Sequence, residues 1–177
     1  MIVVDFESTC WENSWEKQDQ EIIEFGAVKL DLKNRIITDS FQALVKPRNN
    51  PKLSEYCINL TRIQQAEINK AQSFENIANR FNKWCGSKNA HILASWGRDD
   101  LILQKECFEN GIEWKLSKDH INIAFLFREK YTEENEPKYS LERALKLLGI
   151  PFEGQPHRAL NDAAMTAKLM LKITGDD

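Results

Sequence analysis

The feature that most constrains this chain is its opening run, Ile2-Val3-Val4-Asp5-Phe6-Glu7-Ser8. Apolar and β-branched residues at this density read as a buried β-strand. Side chains two apart on a strand share a face, so Asp5 and Glu7 point the same way. Two carboxylates side by side at the end of an apolar strand repel each other unless a cation lies between them. Hard oxygen donors of this kind suit Mg2+ or Mn2+. The plainer alternative is a solvated strand end that carries no ion.

The chain has 177 residues, enough for one domain that buries roughly two-thirds of its extended surface. The expected domain is a single unit over residues 1–177, because no linker or repeat divides it. No apolar run approaches the ~20 residues a membrane span requires, and the N-terminus lacks the basic segment of a signal peptide. Cys10, Cys57, Cys85 and Cys107 are scattered with no C-x-x-C pair, which suits free thiols in a reducing, cytoplasmic setting better than a disulfide framework or a zinc site. The net charge of -3 argues against a protein that coats duplex DNA through a basic surface. It leaves room for a nucleic-acid enzyme whose acids are neutralised by cations.

Two further strands follow, FGAVKLDL and SFQALVKP, with a turn at Asp31, Lys33 and Asn34, so the first three strands can form an antiparallel meander. Thr61 is expected to cap a short helix over 63–68. Ser73, Phe74, Ile77, Phe81 and Trp84 mark a helix with a 3-4 apolar stripe. HILASW reads as a strand and 101–108 as a helix stopped near Asn110-Gly111. Residues 121–127 fit strand or helix, and EKYTEENEPK reads as a loop. Ser140 caps a helix that ends at Gly149 and Pro151, and 159–173 form a terminal helix. The fold class is α/β, with a mixed central sheet flanked by helices.

Two more elements carry candidate chemistry. In WGRDD, acids after the strand HILAS begin a helix and could reach Asp5 and Glu7, or could simply cap free amides. In PHRALNDA, His157 sits on a loop with Gly154 and Pro156, and Asp162 lies on the helix that follows. A loop histidine beside a rigid aspartate suits a general base next to a metal ligand. A surface histidine beside an exposed helix is the alternative.

The order of these elements resembles the DEDD exonucleases, in their histidine-containing DEDDh branch. VVDFESTCW looks like the first motif of the ERI-1-like group, DFEATCW. LSEYCINLTRIQQAEINKAQSFENIANRFNKW is similar to that group's middle stretch, and GQPHRALNDA to its last motif. Ser8 stands where the group has Ala, and Arg62 where LTGI has Gly. In the group, apolar residues follow the middle aspartate at three and four positions and a cysteine at eight. Counted from Asp99 these are Ile102, Leu103 and Cys107. Counted instead from the tryptophan of the group's W-G-x-x-D pattern, the ligand would be Asp100; the helix spacing favours Asp99 as the expected ligand, with Asp100 on the first turn facing solvent or capping.

The resemblance implies an RNase H-like exonuclease fold and a 3′–5′ exonuclease that releases nucleoside 5′-monophosphates from single-stranded RNA or DNA ends, RNA before DNA. It implies two Mg2+ ions, replaceable by Mn2+, held by Asp5, Glu7, Asp99 and Asp162. His157 would be the base for the attacking water, and the Glu7–Ser8 backbone would meet the terminal ribose, where a 2′-OH contact favours RNA. Substrate contacts are thus expected from Glu7, Ser8 and His157. Trp11, Trp15 and Trp96 are stacking candidates, worth roughly 1–3 kcal/mol per base, while Trp84 belongs to the core. The competing readings are a catalytically idle module that grips nucleic-acid ends and a structural subunit docked on a polymerase. The intact acid set argues against the first. No docking tail or obligate protein partner is evident for the second.

Overall fold

In the computed structural model, the described residues are 1–12, 20–87, 91–113, 119–133 and 139–175. The elements in chain order are β1 (Ile2–Ser8), β2 (Ile22–Asp31), β3 (Ile36–Lys46), α1 (Glu55–Thr61), α2 (Gln65–Lys70), β4 (Gln72–Ser73), α3 (Phe74–Cys85), β5 (Leu93–Ser95), α4 (Asp99–Glu109), β6 (His120–Asn122), α5 (Ile123–Tyr131), α6 (Leu141–Leu147) and α7 (Ala159–Ile173). The sheet runs β4-β3-β2-β1-β5-β6. β1, β2 and β3 form the antiparallel meander, and the Asp31 carboxylate accepts from the Asn34 N–H in the turn between β2 and β3. β5 and β6 run parallel to β1. The sheet is therefore mixed, and the C-terminal ends of β1, β5 and β6 open at the same edge.

The period of two in β1 divides the molecule. Ile2, Val4 and Phe6 join Phe25, Phe41, Phe81 and the buried side of α3 in one core. Val3 joins Val28, Phe127, Leu145, Met165 and Leu169 in the other, under α5, α6 and α7. Asp5 and Glu7 are in phase with Val3, so the acids face the α7 layer. A third cluster, Ile23, Leu53, Cys57, Ile63 and Ile68, lies under α1 and α2.

Trp84 stacks on Phe81 at 5.7 Å between ring centroids, as its place on the apolar stripe requires. Trp96 packs against Phe127 at 5.6 Å, so its ring is part of the core wall. Trp11 is half-buried, and Trp15 and the Pro137 part of the charged loop lie outside the described residues.

Two local expectations are corrected. Thr61 is not an N-cap: it ends α1, where its hydroxyl donates to the Cys57 carbonyl and accepts from the Ile63 N–H. Gln64 caps α2 instead, in a reciprocal box with Glu67. The ambiguous 121–127 stretch is both structures, a strand that becomes a helix at Asn122, whose side chain accepts from the Phe125 N–H. Among the described residues no helix is long and apolar enough to cross a membrane.

Candidate active site

The site is built where α7 meets the end of β1. Asp5 pairs with Gly26 of β2, and Glu7 with Glu24. A Cβ on Gly26 would sit inside the Ala159–Leu160 backbone, so only glycine lets the start of α7 settle on the sheet here. Glu24, fully buried, fixes that approach. It accepts from the Ala159 N–H at 3.0 Å, from Arg158 Nη2 at 2.8 Å and Nε at 3.1 Å, and from Gln42 Nε2 at 2.7 Å. The chain entering α7 is thereby strapped to β2. His157, the next residue back, has a left-handed backbone with φ 59.

This docking brings Glu7, His157 and Asp162 together, with a ligand atom of each within 4.8 Å of the others. Asp5 lies beside them, and its carboxyl is raised well above the usual range by burial and by the charges of Asp99, Glu7 and Asp162. Burial, then Asp162 and Glu24, push Glu7 up to about 8. Asp162 rises to about 7, mainly by burial, although backbone N–H groups of His157 and Arg158 oppose the rise. Asp99 rises to about 6, again by burial first and against a hydrogen bond from Ser95. His157 itself is exposed.

The middle motif resolves by helix phase. Asp99 faces Asp5, and Leu103 and Cys107 are buried behind it as the spacing predicts, while Ile102 is partly exposed. Asp100 corrects the expectation of a solvent-facing or capping residue. It is buried, and Arg98 donates to it twice, from Nε and Nη2, each at 2.9 Å. His120 Nδ1 stands 3.5 Å away. Burial works to raise the Asp100 carboxyl, but the Arg98 fork and His120 outweigh it and hold it below the ordinary value. His120 Nε2 in turn meets Ser95 Oγ at 2.9 Å, and Ser95 bonds Asp99. A polar chain thus runs from Asp99 through Ser95 and His120 to Asp100 and Arg98.

Chemically, four carboxylates supply hard oxygen donors, and His157 adds a nitrogen at their edge. Burial and neighbouring carboxylates raise all four acids above their ordinary range. That donor set fits a divalent cation. Ser8 lies at a register shift of β1, and its hydroxyl is buried with no hydrogen-bond partner among the described residues.

The exonuclease (RNase_T) family matches residues 2–170. The chain belongs to this family. Within it, the relatives place the chain in the ERI-1-like DEDDh group. Human ERI1 exoribonuclease 2 is 34% identical across 99% of this chain and 28% of its own length. Rat 3′-5′ exoribonuclease 1 is 30% identical across 98% of this chain and 52% of its own length, and Drosophila 3′-5′ exonuclease Snipper 31% across 99% and 69%. The chain thus spans between about a quarter and a half of the first two. Among solved structures, the nuclease domain of 3′hExo, a DEDDh family member bound to rAMP, superposes with a TM-score of 0.88 at 30% identity, covering 99% of this chain and 91% of that one. The mixed sheet with its flanking helices is therefore the RNase H-like exonuclease fold.

Sequence reasoning missed four residues of this site. Glu24 left a trace, a lone charge inside the apolar run EIIEF. Arg158 and His120 left none, since Glu24 and Ser95, which they meet, lie 134 and 25 residues away, and Ser95 read only as part of an apolar strand.

Proposed function

We propose that residues 1–177 form one 3′–5′ exonuclease domain that removes nucleoside 5′-monophosphates from single-stranded RNA, and less readily DNA. The observation that carries this reading is the gathering of Glu7, His157 and Asp162, with Asp5 and Asp99 beside them, at the open end of β1. Asp5, Glu7, Asp99 and Asp162 would hold two Mg2+ ions, with Mn2+ able to replace them. When bound, the cations would offset the carboxylate charge and stabilise the charge that gathers on the phosphate during in-line displacement.

The chain's own groups supply the rest. His157, exposed at the mouth of the site, takes the proton from the attacking water, a role that suits an imidazole within reach of that water. The water oxygen bonds to phosphorus, the bond from phosphorus to the 3′-oxygen of the shortened strand breaks, and that oxygen takes a proton from solvent and leaves as the new 3′-hydroxyl. The Glu7–Ser8 segment meets the terminal ribose, where a 2′-OH contact distinguishes RNA. The free state of all four cysteines supports a reducing, cytoplasmic setting.

The test is degradation of 5′-labelled single-stranded RNA, single-stranded DNA and stem-loop RNA with Mg2+, Mn2+ or EDTA. One-nucleotide ladders from the 3′ end of RNA, abolished by EDTA, are expected. Binding of RNA ends without hydrolysis in either metal would replace this reading with that of an idle end-binding module.

A further inference from the structure

Beside the carboxylates lies a cavity of about 520 Å³ to which no role has been given, and its walls include Trp96, Gly97, Arg98, Phe125, Arg128 and Tyr139. Its size is that of a small-ligand pocket. Three observations point to an occupant.

The first is position. Trp96, Gly97 and Arg98 lead directly into Asp99, so one short segment builds both the cavity wall and the acid that faces Asp5. The cavity opens at the C-terminal ends of β5 and β6, the edge at which β1 presents its acids. Two strand spacings, about 10 Å, separate β1 from β6. Ser8 lies on the opposite side of the acids, its carbonyl 3.8 Å from Cys57 Sγ of α1. A strand whose terminal ribose meets Ser8 therefore has its scissile phosphate at the acids and its 5′ remainder on the cavity side.

The second is charge. The chain carries a net charge of -3, yet among the described residues lining this cavity none is acidic and two are arginines. Arg128 Nε is buried and has no acceptor among the described residues. Arg98 shares its charge with Asp100 but leaves more than half of its side chain exposed. A second cavity differs, since Glu21, Glu75 and Glu106 line it.

The third is aromatic surface. Trp96 and Tyr139 are held rigidly against Phe127, with ring centroids at 5.6 Å and 5.4 Å. Phe125, on the first turn of α5, is instead 55% exposed and turns a ring toward the cavity. An exposed ring beside guanidinium groups offers a base a face to stack on and its phosphate a cationic partner.

We propose that this cavity is a subsite for a nucleotide 5′ of the scissile bond, with the base on Phe125 and the phosphate on Arg128. The inference rests on the exonuclease reading. It makes the domain a reader of single-stranded length, because the subsite can be filled only by an unpaired base.

The test uses 5′-labelled RNA octamers carrying one abasic nucleotide at successive positions, with a p-nitrophenyl ester of a nucleoside 5′-phosphate as a substrate that fills only the terminal site. Wild-type protein is expected to lose about 5- to 100-fold in kcat/KM when one internal position is abasic, the size of one stacked base. Phe125→Ala should show the same loss on the intact octamer and no further loss at that position. Arg128→Gln should weaken octamer cleavage, and Arg128→Lys should recover most of it. Ester hydrolysis by Phe125→Ala should be unchanged, which also shows that the variant is folded. A Phe125→Ala abasic profile like that of wild type, or an equal loss on ester and octamer, would overturn the subsite. Wild-type protein inert toward both substrates would overturn the exonuclease reading, and the subsite with it.

Discussion

Arg158 grips Glu24 with two parallel hydrogen bonds, Nη2 to Oε1 at 2.8 Å and Nε to Oε2 at 3.1 Å, across 134 residues of sequence. Arg158 is the neighbour of His157, and Glu24 is the cross-strand partner of Glu7. One ion pair thus ties the base loop to β2, the strand paired with the one that carries Asp5 and Glu7. Its geometry is that of a planar fork meeting a carboxylate, which lysine cannot reproduce.

Glu24→Gln and Arg158→Lys are therefore expected to act through His157. Each should lower kcat by roughly tenfold or more while leaving KM within about threefold, because a small misplacement of a reacting group is costly. Glu24→Ala leaves Arg158 unpaired and should cost about 3–5 kcal/mol of stability. Urea unfolding alongside steady-state kinetics separates the two effects. Equal kcat in wild type and Glu24→Gln would show that the clamp is structural only.

The paired aspartates have opposite fates. Asp99→Asn removes a charge that faces Asp5 and should cut turnover by at least about 100-fold. It should not destabilise the protein, since the carboxyl is already pushed up to about 6 by its surroundings. Asp100→Asn should retain most turnover. It strips the partner from Arg98 and His120 in a buried network, so it should cost about 1–3 kcal/mol of stability. Turnover and unfolding midpoints of the two variants check both halves. An inactive Asp100→Asn protein, folded at the assay temperature, would mean that the Ser95–His120 chain transmits to the site.

Much of this was legible in local sequence. The alternation of β1 put Asp5 and Glu7 on one face, and an Ala-rich stretch after Pro156 delimited α7. The spacing of Ile102, Leu103 and Cys107, matched to the group that the segment resembles, favoured Asp99 over Asp100. The two-residue β4 and three-residue β6 were not legible, since strands so short complete too few alternations to show a period. The fate of Asp100 was hidden as well. Helix phase says that it points away from Asp5, but not that His120, twenty residues on, waits there.

Arg62 occupies a left-handed C-cap, with φ 62 and ψ 8, after α1. The LTGI segment of the group that this stretch resembles has glycine here, a residue that this backbone favours. A side chain in this conformation costs roughly 1–2 kcal/mol, and the greater freedom of glycine in the unfolded chain returns about half of that. Arg62 is exposed and its N–H still donates to the Ile58 carbonyl, a bond that glycine keeps. Arg62→Gly should therefore stabilise the protein by about 0.5–1 kcal/mol, measured by urea unfolding. If Arg62 also contacts phosphate, KM for RNA will rise in the same variant while KM for a mononucleotide ester stays constant.

Without metal, the site should make stability fall as pH rises. Burial and mutual repulsion push Asp99 up to about 6, Asp162 to about 7 and Glu7 to about 8. Unfolded carboxyls titrate near 4. Between about pH 4 and 8 these groups therefore hold more protons in the folded than in the unfolded chain, and their contribution to the slope of unfolding free energy against pH is negative. The stabilising contribution of these groups is complete below about pH 4 and is lost as pH rises through 6, 7 and 8. Cations that bind the ionised carboxylates release those protons and relieve the repulsion. The rise in Tm on adding saturating Mg2+ or Mn2+ to EDTA-treated protein should then be greater at pH 8 than at pH 6. Glu106 shifts in the same direction, to about 7, chiefly by burial, but its carboxylate lies at the start of β2, where it accepts from the Ile22 N–H. Glu106→Gln should change the metal-free pH slope and leave the metal increment intact, whereas Asp162→Asn should diminish the increment. Calorimetric scans at pH 6, 7 and 8, with and without metal, read both quantities, and an increment that does not vary with pH would show that these carboxylates are not where the cations bind.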